Sequence, residues 1–136
     1  MLRSEISALL GIQYPVFQGG MAWIANARLA AAVSEAGGLG IISAMNTDCE
    51  WLRTEIRKAR SLTDKPFGVN IMLMSPSAGE MARVLIEESV PVVTTGAGNP
   101  AQYMGDWRAA GIKVIPVVAS VAFARLMERI GASAVK

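Results

Sequence analysis

The stretch Pro15-Val-Phe-Gln-Gly-Gly-Met21 runs an apolar segment directly into two glycines. Glycine weakens a strand, and it is found where the backbone bends through unusual dihedral angles or comes into contact with a ligand. We therefore expect a flat or bulky group to lie against the backbone of Gln18, Gly19, Gly20 and Met21. A functional site should begin at the carboxyl end of this first strand.

The same pattern, a short apolar run followed by a helical period, recurs along the chain without a hairpin signature. Predicted strands begin near residues 15, 39, 67, 91, 113 and 133, and residues 3 to 10 form a short helix ahead of the first strand. Each interval between strands is long enough for one crossover helix. The prediction is an α/β fold of about five complete βα units plus the start of a sixth strand.

Capping residues support the predicted helices. Asn26 and Ser120 are expected N-caps, and Ser77 with Glu80 has the spacing of a capping box. Asn99-Pro100 places a cap before a proline at the first helical position. The local signals are consistent with strands that alternate with helices.

Two folds share this pattern: an open doubly wound sheet and the eight-stranded barrel. Glycines and polar residues follow several different strands, namely at residues 18–21, 43–44, 70–72, 95–98 and 118–120. A barrel gathers such residues at one mouth, whereas an open sheet concentrates them at one switch point. We therefore predict a TIM-barrel-type (β/α) repeat in truncated form, with residues 1–136 as a single domain.

The run Gly96-Ala-Gly-Asn-Pro-Ala101 mimics the dinucleotide fingerprint between a strand and a helix. The following strand offers no carboxylate for a ribose hydroxyl, which argues against a Rossmann site. We interpret Gly96 and Gly98 as part of a loop that lets a planar group or a substrate tail approach the barrel mouth.

Composition narrows the class of protein. The apolar fraction of 52% is typical of strands buried on both faces, and the longest apolar run, residues 114–124, is too short to span a bilayer. The amino terminus lacks the pattern of a signal peptide, so we expect a cytoplasmic protein that binds neither membranes nor nucleic acid. The net charge of +2 comes from scattered residues such as Arg53, Arg57, Lys58 and Arg60, interpreted as a solvated helix face.

The available side chains limit the chemistry. The chain has no histidine, its carboxylates lie mostly on predicted helix faces, and its one cysteine, Cys49, is interpreted as structural, so neither a metal site nor a catalytic residue is predicted. The strand ends offer backbone amides, the side-chain amides of Gln18, Asn70 and Asn99, and the apolar surface of Met21, Met72 and Met74. This set suits a flat conjugated cofactor that is hydrogen-bonded at one edge and packed on its face.

Simpler interpretations stay open for single residues. Asn70 would need a partner inside its apolar strand, and that partner is either a ligand or a neighbouring backbone carbonyl. Trp23 either caps the core or lines the mouth.

Five segments together resemble the amino-terminal part of the flavin-dependent enoyl-acyl carrier protein reductases, relatives of the nitronate monooxygenases. They are Tyr14-Pro-Val-Phe-Gln-Gly-Gly-Met-Ala-Trp23, Ala36-Gly-Gly-Leu-Gly-Ile-Ile42, Asp64-Lys-Pro-Phe-Gly-Val-Asn-Ile-Met-Leu73, Val92-Val-Thr-Thr-Gly-Ala-Gly-Asn-Pro100 and Lys113-Val-Ile-Pro-Val-Val118. Nitronate monooxygenases usually carry Ala-Pro in place of Gly19-Gly20, which favours the reductase.

The resemblance implies a (β/α)8 barrel that binds FMN. It places the flavin ring against the backbone of Gly19, Gly20 and Met21 and the Asn70 side chain near the ring's polar edge, with Gln18 and the loop from Gly96 to Gly98 adjacent. NADH or NADPH would reduce the flavin, which would then reduce a 2-enoyl thioester delivered by acyl carrier protein. The alternatives are FMN-dependent oxidation of nitronates and, in another class, a non-catalytic half-barrel that pairs with another chain; a homodimer is possible.

The resemblance also implies more sequence than this chain has. Members of the family continue with the rest of the sixth strand, a glycine-rich loop with the catalytic histidine, and two strands whose loops hold the FMN phosphate. We expect this chain to be the amino-terminal portion of such a barrel, to bind FMN weakly and to be inactive alone.

Overall fold

A computed structural model describes residues 4 to 136, so Arg3, where the first helix was predicted to begin, lies outside the described residues. The helices are α1 (Glu5–Leu10), α2 (Ala27–Glu35), α3 (Cys49–Leu62), α4 (Ala78–Glu87), α5 (Ala101–Ala109) and α6 (Val121–Arg129). The strands are β1 (Gly40–Ser43), β2 (Phe67–Met72), β3 (Val92–Gly96) and β4 (Lys113–Pro116). Strands and helices alternate from β1 onward, as predicted.

The four strands form one parallel sheet in the order β1-β2-β3-β4. Consecutive strands are neighbours, and each pair is joined by one helix, the arrangement of successive βα units in a barrel wall. One register row runs through Ser43, Asn70, Thr94 and Ile115. These four residues therefore share one face of the sheet near its carboxyl edge.

The first predicted strand is reduced to a single bridge, and the predicted start of a sixth strand is held beside the sheet by backbone hydrogen bonds. Phe17 makes a single parallel bridge with Leu39, supported by backbone bonds from Leu39 N to Val16 O and from Gln18 N to Leu39 O. At the other edge, Ser133 N donates to Val114 O and Lys136 N donates to Pro116 O. Both segments lie in strand positions at the two edges of the sheet.

Most predicted caps are present. Asn26 Oδ1 accepts from Leu29 N at 3.1 Å, and Ser120 Oγ accepts from Phe123 N at 3.1 Å. Asn99 Oδ1 accepts from Ala101 N at 3.0 Å, but Pro100, which was predicted at the first helical position, is the N-cap residue of α5, and the helix begins at Ala101. The capping box predicted at Ser77 is wrong: Ser77 makes no side-chain cap bond, because its hydroxyl pairs with the Ser75 hydroxyl instead.

Two apolar clusters separate the faces of the sheet. One lies between the sheet and helices α2 to α5, and it includes Ile42, Val69 and Val93. The other packs the opposite face of the strands against α1 and contains Leu10, Ile12, Leu39, Ile41, Val92 and Ile115. The α1 helix thus covers the amino-terminal part of this inner face and leaves its carboxyl end available for a site.

Helix α2 packs on β1 through backbone. A β-carbon built on Gly40 would lie 1.8 Å from the carbonyl oxygen of Ala30, and Gly40 N donates to Ser34 Oγ at 3.1 Å. This glycine therefore fixes how closely the helix approaches the strand that carries Ser43.

Helices α3 and α4 are joined by an ionic cluster, which corrects the interpretation of the α3 arginines as a solvated face. The Glu88 carboxylate, 8% exposed, lies 2.8 Å from Arg53 Nη1 and 2.7 Å from Arg57 Nη2. Arg60 reaches the same carboxylate at 3.8 Å, and Arg53 also pairs with Glu87 at 2.6 Å. Hydrogen bonds from Arg57 and Arg53 hold the pKa of Glu88 below its ordinary value.

Replacement Glu88→Gln should lower the free energy of unfolding by about 1–2 kcal/mol at pH 7, because the buried acceptor of three arginines loses its charge while Arg57 and Arg60 stay partly hydrated. The folded pKa of Glu88 is depressed, so its contribution is present above the unfolded value near 4.5 and is lost as pH falls through the folded pKa. Urea denaturation at several pH values between 7 and 3 measures this change in the free energy of unfolding. The variant should lose less stability on acidification than the parent chain; an identical pH dependence would contradict the assignment.

Within residues 4 to 136, no helix has both the length and the apolar character that crossing a membrane requires.

Candidate functional site

The carboxyl edge of the inner face carries a small polar cluster centred on Asn70. Thr94 Oγ1 donates to Asn70 Oδ1 at 2.8 Å, and the two residues are register partners on β2 and β3. Thr94 is 1% exposed, whereas Asn70 is partly exposed. Because the Thr94 hydroxyl occupies Oδ1, it fixes the orientation of the amide and directs the remaining donor, Nδ2, to other acceptors. None of residues 4 to 136 accepts a hydrogen bond from that Nδ2.

Gly20 lies directly against Asn70. A β-carbon on Gly20 would be 2.8 Å from Asn70 Cβ and 3.2 Å from Asn70 Cγ, so a larger residue would displace the amide. Neither Gly19 nor Gly20 has a positive φ. Close approach, and not an unusual dihedral angle, therefore explains the glycine at position 20.

Gly19 differs from its neighbour because it faces open space. The one described atom within 4 Å of a β-carbon built there is Lys136 Nζ, at 3.9 Å, at the end of a flexible side chain. The absence of a side chain at Gly19 thus leaves room above the backbone that no packing contact of the described residues requires.

The Gln18 side chain extends the sheet. Its Nε2 donates to Ile41 O at 3.1 Å and its Oε1 accepts from Ile41 N at 3.2 Å, so the amide replaces the backbone ladder where the chain turns into the glycines. A ligand at Gln18 would therefore meet backbone more readily than a free side-chain amide. Met21 follows at 41% exposure, and its carbonyl accepts from Ile24 N and Ala25 N in the next turn.

The two glycines after β3 have different surroundings. Gly96 is the register partner of Met72, and no described atom beyond its two chain neighbours lies within 4 Å of a β-carbon at Gly96, so it borders open space at the same edge. Gly98 has a φ of 151°, and a β-carbon there would lie 2.9 Å from Leu73 Cβ. Packing on Leu73 thus explains Gly98 without a ligand. Gly20 and Thr94 contact Asn70, whereas Gln18, Gly19, Met21 and Gly96 lie along the same edge of the sheet.

Thr94 is the contact that sequence reasoning missed, because threonine is a common way to finish a strand. Aligning β2 and β3 by their parallel register would have paired Thr94 with Asn70 and revealed it. Cys49 was interpreted as structural, with acidic neighbours that raise the pKa of its thiol, and the direction of that shift agrees. Burial is the main reason that the pKa of its thiol is raised, and the Glu80 carboxylate, 3.8 Å from Sγ, contributes more than its sequence neighbour Asp48.

Comparisons with known proteins agree on one family. The chain aligns with FabK from Thermotoga maritima at 54% identity and a TM-score of 0.98, over 99% of this chain and 43% of that one. It is 38% identical over 133 residues to a carboxyl-CoA dehydrogenase of Mycobacterium tuberculosis, which covers 98% of this chain and 38% of that protein. It is 44% identical over 82 residues to a nitronate monooxygenase of Pseudomonas aeruginosa, which covers 60% of this chain and 23% of that protein.

The chain therefore spans about two fifths of the length of the relatives that match it from end to end. The nitronate monooxygenase family profile matches residues 3–86, more than half of the chain. With the parallel βα architecture and the barrel relatives, this match establishes the family: the chain belongs to the nitronate monooxygenase family of flavin-dependent oxidoreductases and resembles the amino-terminal part of its enoyl reductase members.

Proposed function

We propose that this chain supplies one wall of an FMN site in an oxidoreductase that reduces 2-enoyl acyl thioesters with NADH or NADPH. The observation that carries the proposal is the Asn70 cluster: an amide held by Thr94, with a free Nδ2, beside backbone that Gly19 and Gly20 leave uncovered. The acyl group would be carried by acyl carrier protein in the cytoplasm.

The residues present suit a flat conjugated ring. Gly19 and Gly96 border space that a β-carbon would partly fill, Met21 offers exposed apolar surface, and Asn70 Nδ2 lacks an acceptor among residues 4 to 136. A planar ring with an acceptor at its edge would satisfy the amide while its face lies on the glycine backbone. A bound flavin would supply hydride transfer, which amino-acid side chains do not perform.

The roles of the individual residues follow from their contacts. Asn70 would bind and orient the polar edge of the ring, and Thr94 would act as a positioning residue that holds the amide in one rotamer. Gly20 would keep the backbone close enough to Asn70 for both to touch the same group. No described residue is assigned a proton-transfer role.

The choice of a thioester over a nitronate is supported by the extent of the matches. The carboxyl-CoA dehydrogenase and FabK align over nearly the whole chain at 38% and 54% identity. The Pseudomonas aeruginosa nitronate monooxygenase aligns at 44% over 60% of the chain, and a probable nitronate monooxygenase of Staphylococcus aureus aligns over 98% at 27%. Similarity along the full length of the chain is thus greater to the reductase and the acyl-CoA enzyme.

Titration of the purified chain with FMN and with riboflavin tests the flavin wall. Because the resemblance places the phosphate-binding loops in additional sequence, we expect both flavins to bind weakly and with similar affinity. Binding is measured by the quenching of flavin fluorescence. No quenching by either flavin at millimolar concentration would refute the proposal, and tight FMN binding with turnover would refute the expectation that this chain is inactive alone.

Substrate class is tested on the same flavin-loaded chain. Crotonyl thioester should perturb the flavin absorption spectrum at concentrations where an alkyl nitronate has no effect. If the alkyl nitronate instead perturbs the spectrum at concentrations where the thioester has no effect, the result would favour nitronate oxidation.

A further inference from the structure

A cavity opens beside the proposed flavin wall, outside the Asn70 cluster. It has a volume of about 500 Å³ and lies between the turn that follows Met21 and the loop that follows β1. Two tryptophans line it, Trp23 from the turn and Trp51 from the first turn of α3. Its volume lies within the range of roughly 300–1,000 Å³ that is usual for small-molecule sites.

Trp23 is held in its place at a cost to folding. Trp23 is 79% exposed and adopts a φ of 68°, a left-handed conformation that is unfavourable for a bulky residue. Trp51 is 36% exposed. Among residues 4 to 136 the aromatic pair in contact is Tyr103 with Trp107, so Trp23 and Trp51 are not stacked on each other and the space between them stays open. An exposed, strained indole beside an open cavity indicates a ligand with a π-face.

Polar groups at the rim of the cavity limit the chemical class of ligand that it can bind. Asp48 Oδ1 accepts from Trp51 N at 2.7 Å and Asn26 Oδ1 accepts from Leu29 N at 3.1 Å. The second carboxylate oxygen of Asp48 and the Nδ2 of Asn26 have no partner among residues 4 to 136, which leaves one acceptor and one donor. Asp48 is also the one charged side chain among the residues that line the cavity, so a phosphate at that position would be repelled.

Position relates the cavity to the flavin wall. Ser43 lines the cavity and is the register partner of Asn70 on the adjacent strand, and Ala44 N donates to Asn70 O at 3.0 Å. Neighbouring strands lie about 4.8 Å apart. A ligand in the cavity therefore lies one strand away from the proposed ring site, within reach of a dinucleotide that has its other end there.

We infer that this cavity is an adenosine subsite for the reductant, with adenine between Trp23 and Trp51 and a ribose without phosphate beside Asp48. The inference rests on the proposed use of a pyridine nucleotide. It selects NADH over NADPH, because a carboxylate accepts hydrogen bonds from ribose hydroxyls and repels a 2′-phosphate. A coenzyme A thioester also carries adenosine, but its 3′-phosphate meets the same carboxylate. Both phosphorylated forms are therefore disfavoured.

The test measures tryptophan fluorescence during titration with ADP-ribose, 2′-phospho-ADP-ribose and coenzyme A, in the absence of flavin. ADP-ribose should quench the signal and bind at least tenfold more tightly than the other two compounds. Trp107 is fully buried elsewhere in the fold and should contribute a constant background. Since no flavin is present, failure of this test is separate from failure of the flavin titration described above.

Three variants sharpen the result. Trp23→Ala should lower the affinity for ADP-ribose at least tenfold. Trp23→Phe retains an aromatic ring and should keep most of the parent's affinity. Asp48→Asn keeps a good helix cap and removes the charge, so it should narrow the difference between ADP-ribose and 2′-phospho-ADP-ribose. Unchanged affinity in Trp23→Ala, or equal binding of coenzyme A and ADP-ribose by the parent chain, would overturn the inference.

Discussion

Replacement Gly40→Ala should abolish cooperative folding of this chain. The added β-carbon would lie 1.8 Å from the Ala30 carbonyl oxygen, 2.5 Å from its carbonyl carbon and 2.6 Å from its Cα. All three atoms belong to the backbone of α2, so no side-chain rotation relieves the overlap. Because Ala30 is fully buried, the helix would have to move off β1. We expect a loss of more than about 3 kcal/mol, a large part of the 5–15 kcal/mol typical of a domain.

Gly105→Ala is the matched control. Gly105 lies inside α5, and no described atom outside the backbone of its own helix turn comes within 4 Å of a β-carbon built there. Alanine favours a helix interior over glycine, so this variant should gain about 0.5–1 kcal/mol. Far-UV circular dichroism and urea denaturation compare the two variants with the parent. A Gly40→Ala chain that unfolds at the same urea concentration as the parent would show that the packing of α2 on β1 is wrong.

The sequence predicted the βα order because each element carries its own signal. Apolar runs marked β1 to β4, and Asn26 and Ser120 marked two helix starts that the structure has. The first strand was overestimated because Gln18 completes the pairing with Ile41 through its side chain, an exchange that periodicity cannot reveal. The ionic cluster at Glu88 was missed for a related reason, since its arginines lie 28 to 35 residues away on another helix.

The candidate site was predicted in part, and the glycines show why. Gly20 was expected to face a ligand, yet its immediate neighbour is the Asn70 side chain, and Gly98 is explained by Leu73. Gly19 and Gly96 border open space, as glycines beside a ligand would. Sequence indicates that a glycine is needed, whereas only the packing shows whether protein or empty space lies against it.

Asn70→Leu should reduce flavin affinity at least tenfold, since it removes the amide donor while keeping a side chain of similar size at the centre of the cluster. It should also cost about 1–2 kcal/mol in stability, because the buried Thr94 hydroxyl loses its acceptor. Fluorescence titration with riboflavin and urea denaturation give the two quantities separately.

Thr94→Val is the control that assigns the amide its role. It breaks the same 2.8 Å hydrogen bond but leaves Asn70 Nδ2 in place, so stability should fall by a similar amount while riboflavin affinity falls much less. Gly19→Ala complements it from the other side: the site has room for a methyl group, so stability should stay within about 0.5 kcal/mol while riboflavin affinity drops. If Asn70→Leu binds riboflavin as tightly as the parent does, the amide serves the sheet alone. If Gly19→Ala binds riboflavin as the parent does, the ring does not lie on this backbone.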